Sequence, residues 1–494
     1  MINIKPAVLN ISANDPMGLA GVHADLRAMS AMNVHGANVI TATTAQTQHQ
    51  FYDLNAVSLH AFKSQLDALY KQDIFVVVKL GLLANSQQAN VLLNHPILKN
   101  KKLIVDPVLA ASSGSIEQLN DRINGLKNLM PMMDMITPNY DEVLALVGIA
   151  IENPESLIKA AQSFIKLGVG SVLIKGGHGS HPSEDYFYSA SQAFYVSSAV
   201  HDKEFTRGTG CMLASLIASS LVLGSSLPDS VVMAKMQLNA GFKHRFKLDE
   251  SSGSLQPPTW QDPLSISEGE NLITELPQVY GQALEKNLIF EPCLKPLGLY
   301  PVVNRAHWLA SLLPLGVKII QLRIKDLEGE ALKKEIQQAV KIAKQYAAQL
   351  FINDYWELAI ECQAYGVHLG QEDIDTADLL AISKAGLRLG LSSHCFFEMA
   401  RAKTINPSYI AFGPVYETKS KEMPWIPQGP QGLKYWRLHL PDFPMVAIGG
   451  IFGEKFQQVK NTGVDAIAMI SAITEHEHPM LATQQYMNAF ELTQ

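Results

Sequence analysis

YPVVN (300–304), KIIQLRI (318–324), LFIND (350–354), GVHLGQ (366–371), LRLGLSS (387–393), YIAFGP (409–414), MVAIGG (445–450) and AIAMIS (466–471) are eight apolar runs in the last 200 residues or so. Each has the length of a strand, ends in a polar, charged or glycine residue, and is followed by a helix-length stretch. Eight such units predict a closed (β/α)₈ barrel, a fold whose chemistry sits at the carboxyl ends of its strands. The residues at or just beyond those ends include Arg323, Lys325, Asn353, Asp354, Asp373, Ser392, Thr418, Lys421, Gly450 and Ser471. A set that mixes cations, carboxylates and phosphate-type donors describes a ligand more than a core.

Upstream of the barrel the chain alternates strand and helix patterns. AVLNISA (7–13), ANVITATTA (37–45), FVVVKLGLL (75–83), LIVDPVL (103–109), MITPN (135–139), SVLIKGG (171–177), DYFYS (185–189) and AFYVSS (193–198) are strand candidates. The alternation predicts an α/β sandwich around a mostly parallel sheet. SSGSLQPPTWQDPLSISEGE, from Ser251, is dense in Ser, Pro and Gly and marks the break. The expected organisation is a first domain over 1–265, a linker over 266–290 and the barrel over 291–494.

The chain has 494 residues, 47% hydrophobic and 17% charged, enough for two or three packed domains. Its net charge of −7 argues against a general binder of nucleic acid or anionic membrane, so any phosphate site must be local. The four cysteines are far apart and form no C-x-x-C pair, which fits a reducing cytoplasm. The opening MINIKPAVLNISAND has no secretory pattern, and the apolar stretch 212–227 is too short to span a bilayer, so it reads as a buried helix.

In the first domain, FTRGTGCMLASLIASSL (205–221) runs from the glycine turn Gly208-Thr209-Gly210 straight into an apolar helix. Such a turn lets backbone approach an anion, and the helix N-terminus supplies free N–H donors. Cys211 in the first helical turn is expected to have a lowered thiol pKa, making it a base or nucleophile. A helix entry that simply needs glycines would leave the same trace. Asp15 opens a second turn, Gln46 ends a strand where it could read a heterocycle, and Asp106, Asn139, Glu142 and Lys175 each follow an apolar run. Carboxylates near a glycine anion hole suggest Mg²⁺ and a nucleotide phosphate. The absence of G-x-x-x-x-G-K-[ST] excludes a P-loop kinase.

In the barrel, Gln321, Arg323 and Lys325 alternate along one strand end and should project to one side, suited to a multiply charged anion. Asp354 and Asp373 end neighbouring strands about 5 Å apart and could share one hard cation; an N-capping Asp373 is the plainer alternative. Gly450 and Ser471 end the last two strands, the common phosphate position of barrels. The loop TKSKEMPWIPQGPQG (418–432) is a candidate lid, with Thr418, Ser420 and Lys421 as anion donors. His368 and His394 read as packing or supporting groups.

Two resemblances sharpen these expectations. NISANDPMGLAGVHADLRAMSAMNVHGANVITATTAQ, IVDPVL, ITPNYDEVLALVG, VLIKGGH and TRGTGCMLASLIA, spanning residues 7 to about 225, resemble the hydroxymethylpyrimidine/phosphomethylpyrimidine kinases, which have a ribokinase-like α/β/α fold. That resemblance implies ATP-dependent phosphorylation of a pyrimidine alcohol and then of its monophosphate. It makes Cys211 the base, Gly208–Gly210 the anion hole, Gln46 and Asp15 substrate contacts, and Asp106, Asn139, Glu142 and Lys175 the ATP–Mg²⁺ side. In DPVLAASSG (106–114) Ala111 or Ser112 stands where the family carries a lysine.

QLRIKD, LFINDYWELAI, AYGVHLGQEDI, LGLSSH, GPVYETKSK, VAIGGI and ISAI, over 300 to about 475, resemble thiamine-phosphate synthase in order and spacing. This implies condensation of hydroxymethylpyrimidine pyrophosphate with thiazole phosphate. Gln321, Arg323, Lys325, Asn353, Ser392 and Lys421 would hold the first substrate; Thr418, Ser420, Gly450, Ile470 and Ser471 the second; Asp354 and Asp373 Mg²⁺. The expectation is a cytoplasmic bifunctional enzyme, a homo-oligomer acting on small molecules, without nucleic-acid or membrane partners. The alternative is an active synthase barrel whose first domain only binds the pyrimidine or phosphorylates another alcohol, as a pyridoxal-type kinase does.

Overall fold

The structure is a computed structural model that describes residues 4–109, 116–176, 184–198, 207–249, 252–263, 275–281, 288–417 and 426–491. The chain divides into two compact units, Met1–Trp260 with Ile273–Ala283, and Gln261–Leu272 with Leu284–Gln494.

The first unit is built on strands β1 (Ala7–Asn14), β2 (His35–Gln46), β3 (Phe51–Ala56), β4 (Val77–Leu80), β5 (Lys102–Val105), β6 (Met135–Ile136), β7 (Ser171–Lys175), β8 (Glu184–Ser189) and β9 (Ala193–Ser197). A small ribbon pairs β10 (Phe246–Lys247) with β11 (Gly253–Ser254), and β12 (Gln278–Tyr280) completes the main sheet. The sheet order is β12-β9-β8-β7-β6-β5-β4-β1-β2-β3. Its centre, from β2 to β7, is parallel, while β3, β8, β9 and β12 pair antiparallel. Fully buried Leu9, Ile11, Val78 and Val105 on the central strands pack into a core with Phe62, Leu92 and Phe164. The parallel strands therefore all point their carboxyl ends the same way, the position where doubly wound sheets bind ligands.

Two pieces depart from expectation. The strand β3 went unread because FYDLNA has no buried alternate face; it is held to the end of β2 by backbone pairing, with only Leu54 packed on the apolar cluster of Ala13, Ala42 and Leu82. The 266–290 stretch, expected as linker, contributes β12: Val279 is buried and lies opposite Val196, which gives three residues a sheet edge to pair with.

Four helices matter for the site: α1 (Gly21–Ala31), α2 (Tyr140–Val147), α3 (Thr209–Val222) and α4 (Leu227–Lys243). On α3 every residue from Met212 to Leu221 is buried, sandwiched against α1 and α4. The reading of 212–227 as one core helix holds to Val222; a turn at Leu223–Ser226 then breaks the chain, Leu223 is 42% exposed, and Leu227 opens α4. Among the described residues no helix is long and apolar enough to cross a membrane.

The second unit is the expected barrel. β13 (Gly298–Val303), β14 (Ile319–Leu322), β15 (Gln349–Asn353), β16 (Gly366–Leu369), β17 (Arg388–Ser393), β18 (Tyr409–Phe412), β19 (Met445–Ile448) and β20 (Ala466–Met469) are all parallel. Pairing of Gly298–Pro301 with Ala466–Met469 closes the ring. Alternate residues point inward, so Tyr300, Val302, Ile319, Phe351, Tyr409, Ala411, Val446 and Ala468 fill the interior. Gly390 is required there, since a Cβ would lie 2.2 Å from the Tyr409 ring.

Candidate active sites

In the first unit a cavity of about 400 Å³ opens at the carboxyl ends of the central strands. It gathers Asp15, Gln46, Asp106, Asn139, Glu142, Lys175, Gly208, Gly210 and Cys211, from six segments of chain; Thr209 opens α3 without lining it. Gly208 caps α3 with φ +82°, and a Cβ there would lie 2.3 Å from the Leu19 carbonyl oxygen. At Gly210 a Cβ would sit 3.1 Å from Lys175 Nζ. The glycines thus permit the left-handed entry and let the charged groups close in on the helix end.

Lys175 is the centre of the charge. Its Nζ lies 2.8 Å from Asp106 and 3.7 Å from Glu142. Burial works to lower its pKa, but the two carboxylates outweigh it and the net shift is upward. Burial pushes Glu142 up, with Lys175 opposing. Glu142 and Asn139 also form a capping box on α2: Asn139 Oδ1 accepts the Glu142 N–H at 2.8 Å, and Glu142 Oε2 accepts the Asn139 N–H at 2.7 Å. Asp15 is buried, and its carboxylate accepts from the N–H groups of Met17, Leu19 and Ala20. Those bonds shape the turn that faces the cavity. The Ala111–Ser112 position lies outside the described residues.

The expected lowering of the Cys211 thiol is overturned. Burial, joined by the charges of Asp106 and Asp25, pushes it up to about 12, against the pull of Lys79 and the Gly21 N–H. The helix end is real, but desolvation and two carboxylates outweigh it.

Residues that sequence reasoning missed complete the site. Arg207 donates to the side-chain oxygen of Gln46 and, at 2.9 Å, to the Gln48 carbonyl, tying the β2–β3 hairpin to the glycine turn. Beneath Cys211, one helical turn along α3, Ser215 Oγ donates to Asp25 at 2.7 Å, and Asp25 pairs with Lys79 Nζ at 2.7 Å. Both members of that pair are fully buried. A lone lysine inside FVVVKLGLL was the available signal, since a buried charge requires a partner.

At the barrel mouth the two predicted carboxylates do meet. Asp373 opens a 3₁₀ turn and accepts the Gly370 N–H at 3.0 Å. Asp354, held at φ +64°, lies near enough for its charge to act on Asp373. Burial first, then the Asp354 charge, raises the Asp373 carboxyl. Lys325 Nζ stands 3.2 Å from Asp354. Gln321 and Asn353 are buried at the strand ends, Arg323 is half-buried and Lys325 exposed. Ser392 Oγ lies 2.8 Å from His368 Nε2. Burial lowers His368 to about 4, with Asp354 opposing. His394 is 2.7 Å from Glu398, its helix neighbour.

A second cavity of about 570 Å³ lies over the ends of β19 and β20 and is lined by Gly450, Ile470 and Ser471 as expected, with Glu417, Lys455 and Glu475 in addition. Gly449 and Gly450 have φ of +103° and +66°. A Cβ on Gly450 would lie 2.4 Å from the Glu417 carbonyl oxygen, so side chains are excluded where an anion could rest. Thr418, Ser420 and Lys421 lie outside the described residues.

Cations and carboxylates converge at the open ends of parallel strands twice in one chain, an arrangement suited to anionic small molecules. Comparison with known proteins makes the class specific. Residues 15–256 match the family described as phosphomethylpyrimidine kinase, and residues 299–473 match that described as thiamine monophosphate synthase. The thiamine-phosphate synthase of Pectobacterium atrosepticum is 52% identical over 206 residues, covering 41% of this chain and 95% of that protein. That of Photorhabdus laumondii subsp. laumondii is 52% identical over 205 residues, covering 42% and 95%. Among solved structures, Staphylococcus aureus pyridoxal kinase in complex with ADP has a TM-score of 0.49 at 21% identity, over 56% of this chain and 99% of that one. Phosphomethylpyrimidine kinase from Clostridium difficile 630 has a TM-score of 0.41 at 27% identity, over 47% and 99%.

The chain belongs to the thiamine-phosphate synthase family and carries in addition a kinase domain of the thiamine pathway. Both parts are transferases of thiamine biosynthesis.

Proposed function

We propose that the first unit transfers phosphoryl groups from ATP to a hydroxymethylpyrimidine alcohol and then to its monophosphate, and that the barrel joins the resulting pyrophosphate to thiazole phosphate, releasing pyrophosphate. The observation that carries this reading is the nearness of Asp354 to Asp373, beside Lys325 at the barrel mouth. Two carboxylates that repel each other there, with cations alongside, suit a divalent ion and a multiply charged leaving group.

The donor set fits Mg²⁺. Among the described residues no group of three or more His, Cys, Asp or Glu could hold a metal, and Mg²⁺ commonly takes only one or two carboxylates, with water and substrate phosphates supplying the rest. Asp354 and Asp373 would hold it, and it would supply charge stabilisation to the departing pyrophosphate. Gln321, Arg323, Lys325, Asn353, Ser392 and Lys421 bind and orient the pyrimidine pyrophosphate in this reading, so its carbon is presented to the thiazole nitrogen. Gly450, Ile470 and Ser471, with Thr418 and Ser420, hold the thiazole phosphate at the neighbouring strand ends. Bond formation requires no general base, consistent with a neutral, buried His368.

In the kinase unit Gly208–Gly210 forms the anion hole, Lys175 with Asp106, Asn139 and Glu142 faces the nucleotide, and Gln46 with Asp15 bounds the pyrimidine. Cys211 is assigned to the proton of the alcohol. Its thiol is raised chiefly by burial, with Lys79, its strongest charged neighbour, pulling the other way. The four free cysteines support a reducing, cytoplasmic setting.

The test is incubation of the purified chain with the pyrimidine alcohol, ATP, Mg²⁺ and thiazole phosphate. Thiamine phosphate and pyrophosphate should appear together. Failure even when the pyrimidine pyrophosphate is supplied directly would sink the synthase reading, and failure only without it would sink the kinase reading. Phosphorylation of pyridoxal in preference to the pyrimidine would redirect the first unit.

A further inference from the structure

A line of hydrogen bonds crosses the barrel core from β14 to β17. The Gln321 side-chain nitrogen donates to the Tyr300 hydroxyl at 3.4 Å, and the Tyr300 and Tyr409 hydroxyls are 2.8 Å apart. The Tyr409 hydroxyl is 2.8 Å from His368 Nδ1, and His368 Nε2 is 2.8 Å from Ser392 Oγ. Tyr300, Tyr409 and His368 are 1%, 0% and 7% exposed, so bulk water cannot replace a missing partner.

Counting hydrogens gives this line a direction. Each hydroxyl owns one, and a neutral imidazole owns one. Because Gln321 donates to Tyr300, the Tyr300 hydrogen is satisfied only toward Tyr409. The Tyr409 hydrogen then goes to His368 Nδ1, which must be the accepting nitrogen. The imidazole hydrogen sits on Nε2 and points at Ser392 Oγ, so the Ser392 hydrogen is left for the mouth. A proton on Nδ1, in the other tautomer or in an imidazolium, would reverse Tyr409 and strand the Tyr300 hydrogen in an apolar core.

We propose that Tyr300, Tyr409 and His368 are positioning residues that fix the Ser392 hydroxyl as a hydrogen-bond donor toward the pyrophosphate of the pyrimidine substrate. The proposal rests on the reading above that Ser392 holds that substrate. Its physical content is that an anion accepts only, so a serine hydroxyl already committed to donating elsewhere is lost to it.

The experiment has two arms on the full chain. First, ¹⁵N NMR of histidine-labelled protein, with His368→Gln to assign the signal, should show a protonated Nε2 and an unprotonated Nδ1. A protonated Nδ1 overturns the proposal and leaves the assignment of Ser392 to the substrate standing. Second, Tyr409→Phe keeps the ring, removes the hydroxyl and frees the histidine to change tautomer. The KM for pyrimidine pyrophosphate should rise about fivefold to tenfold, the scale of one hydrogen bond, with the KM for thiazole phosphate unchanged. In a Ser392→Ala background the same change should add nothing; additive losses overturn the proposal. If Ser392→Ala alone leaves KM unaltered, the substrate assignment falls and the proposal with it. The NMR arm uses the intact protein, so a poorly folding Tyr409→Phe does not remove the test.

Discussion

Replacing Asp354 with Asn should leave the barrel folded while removing most of its synthase activity, and the structure sets both magnitudes. The Asp354 side chain is 30% exposed and its partner Lys325 is 58% exposed, with 3.2 Å between them. An ion pair in that setting is worth about 0–1 kcal/mol. The backbone at Asp354 is left-handed, φ +64°, a conformation asparagine accepts as readily as aspartate, whereas alanine adds about 1–2 kcal/mol of strain. The substitution also relieves Asp373, whose carboxyl is raised by burial and then by Asp354. The sign follows from proton binding. A carboxyl with a raised folded-state pKa costs stability as pH rises past its unfolded value, because the native state then holds a proton that the unfolded state has released. Without the Asp354 charge that loss between acid and neutral pH should shrink. Urea unfolding at neutral pH should therefore place Asp354→Asn within about 1 kcal/mol of the parent, and Asp354→Ala about 1–2 kcal/mol lower than Asp354→Asn. Activity should respond differently. If the pair holds Mg²⁺, losing one of its charges removes several kcal/mol of transition-state stabilisation, roughly 10²-fold or more at about 1.4 kcal/mol per tenfold. Pyrophosphate release, measured at saturating substrates across a Mg²⁺ titration, reads this directly. A rate within about threefold of the parent at limiting Mg²⁺ would refute the shared-cation argument. A large stability loss in Asp354→Asn would refute the treatment of the Lys325 contact as weak.

Two further outcomes follow from the kinase unit. Alkylation of Cys211 by a small neutral reagent, followed by peptide mass spectrometry, should keep rising about tenfold per pH unit beyond pH 9, because the thiol is held near 12; a plateau below pH 9 would mean that the helix end governs the thiol after all. Lys79→Met should lower unfolding stability by about 3–5 kcal/mol, since it leaves Asp25 charged and unpaired at zero exposure. Combining it with Asp25→Asn should recover most of that loss in the same denaturant assay, and an equally unstable double variant would show that packing, not charge, was lost.

Much of the barrel was legible because its signals are local. Each strand is a short apolar run, each ends in a turn residue, and the side chain that closes a run is the one delivered to the mouth. Asp354 and Asp373 could be paired on paper because their strands are consecutive. In the first unit the parallel strands were readable for the same reason. The strand Phe51–Ala56 was not, since nothing in its side chains marks a buried face. The Gln278–Tyr280 strand was hidden in a linker-like composition and exists because an edge was waiting for it.

The chemistry of Cys211 shows where local reading stops. Its place at the start of α3 was evident, and a helix dipole argues for a lowered thiol. What reverses that result comes from elsewhere: burial by the surrounding fold, and the charges of Asp106 and Asp25, which lie about 100 and about 190 residues before Cys211 in the chain. The direction of the line from Gln321 to Ser392 likewise depends on Tyr300 and Tyr409, 109 residues apart. Periodicity and turn chemistry act between near neighbours in sequence, so the barrel's strand number, its strand ends and the residue types at its mouth were set by the amino-acid order alone. Desolvation and Coulomb forces act through space, so only the folded chain could decide which groups are charged and which hydroxyl is left to donate.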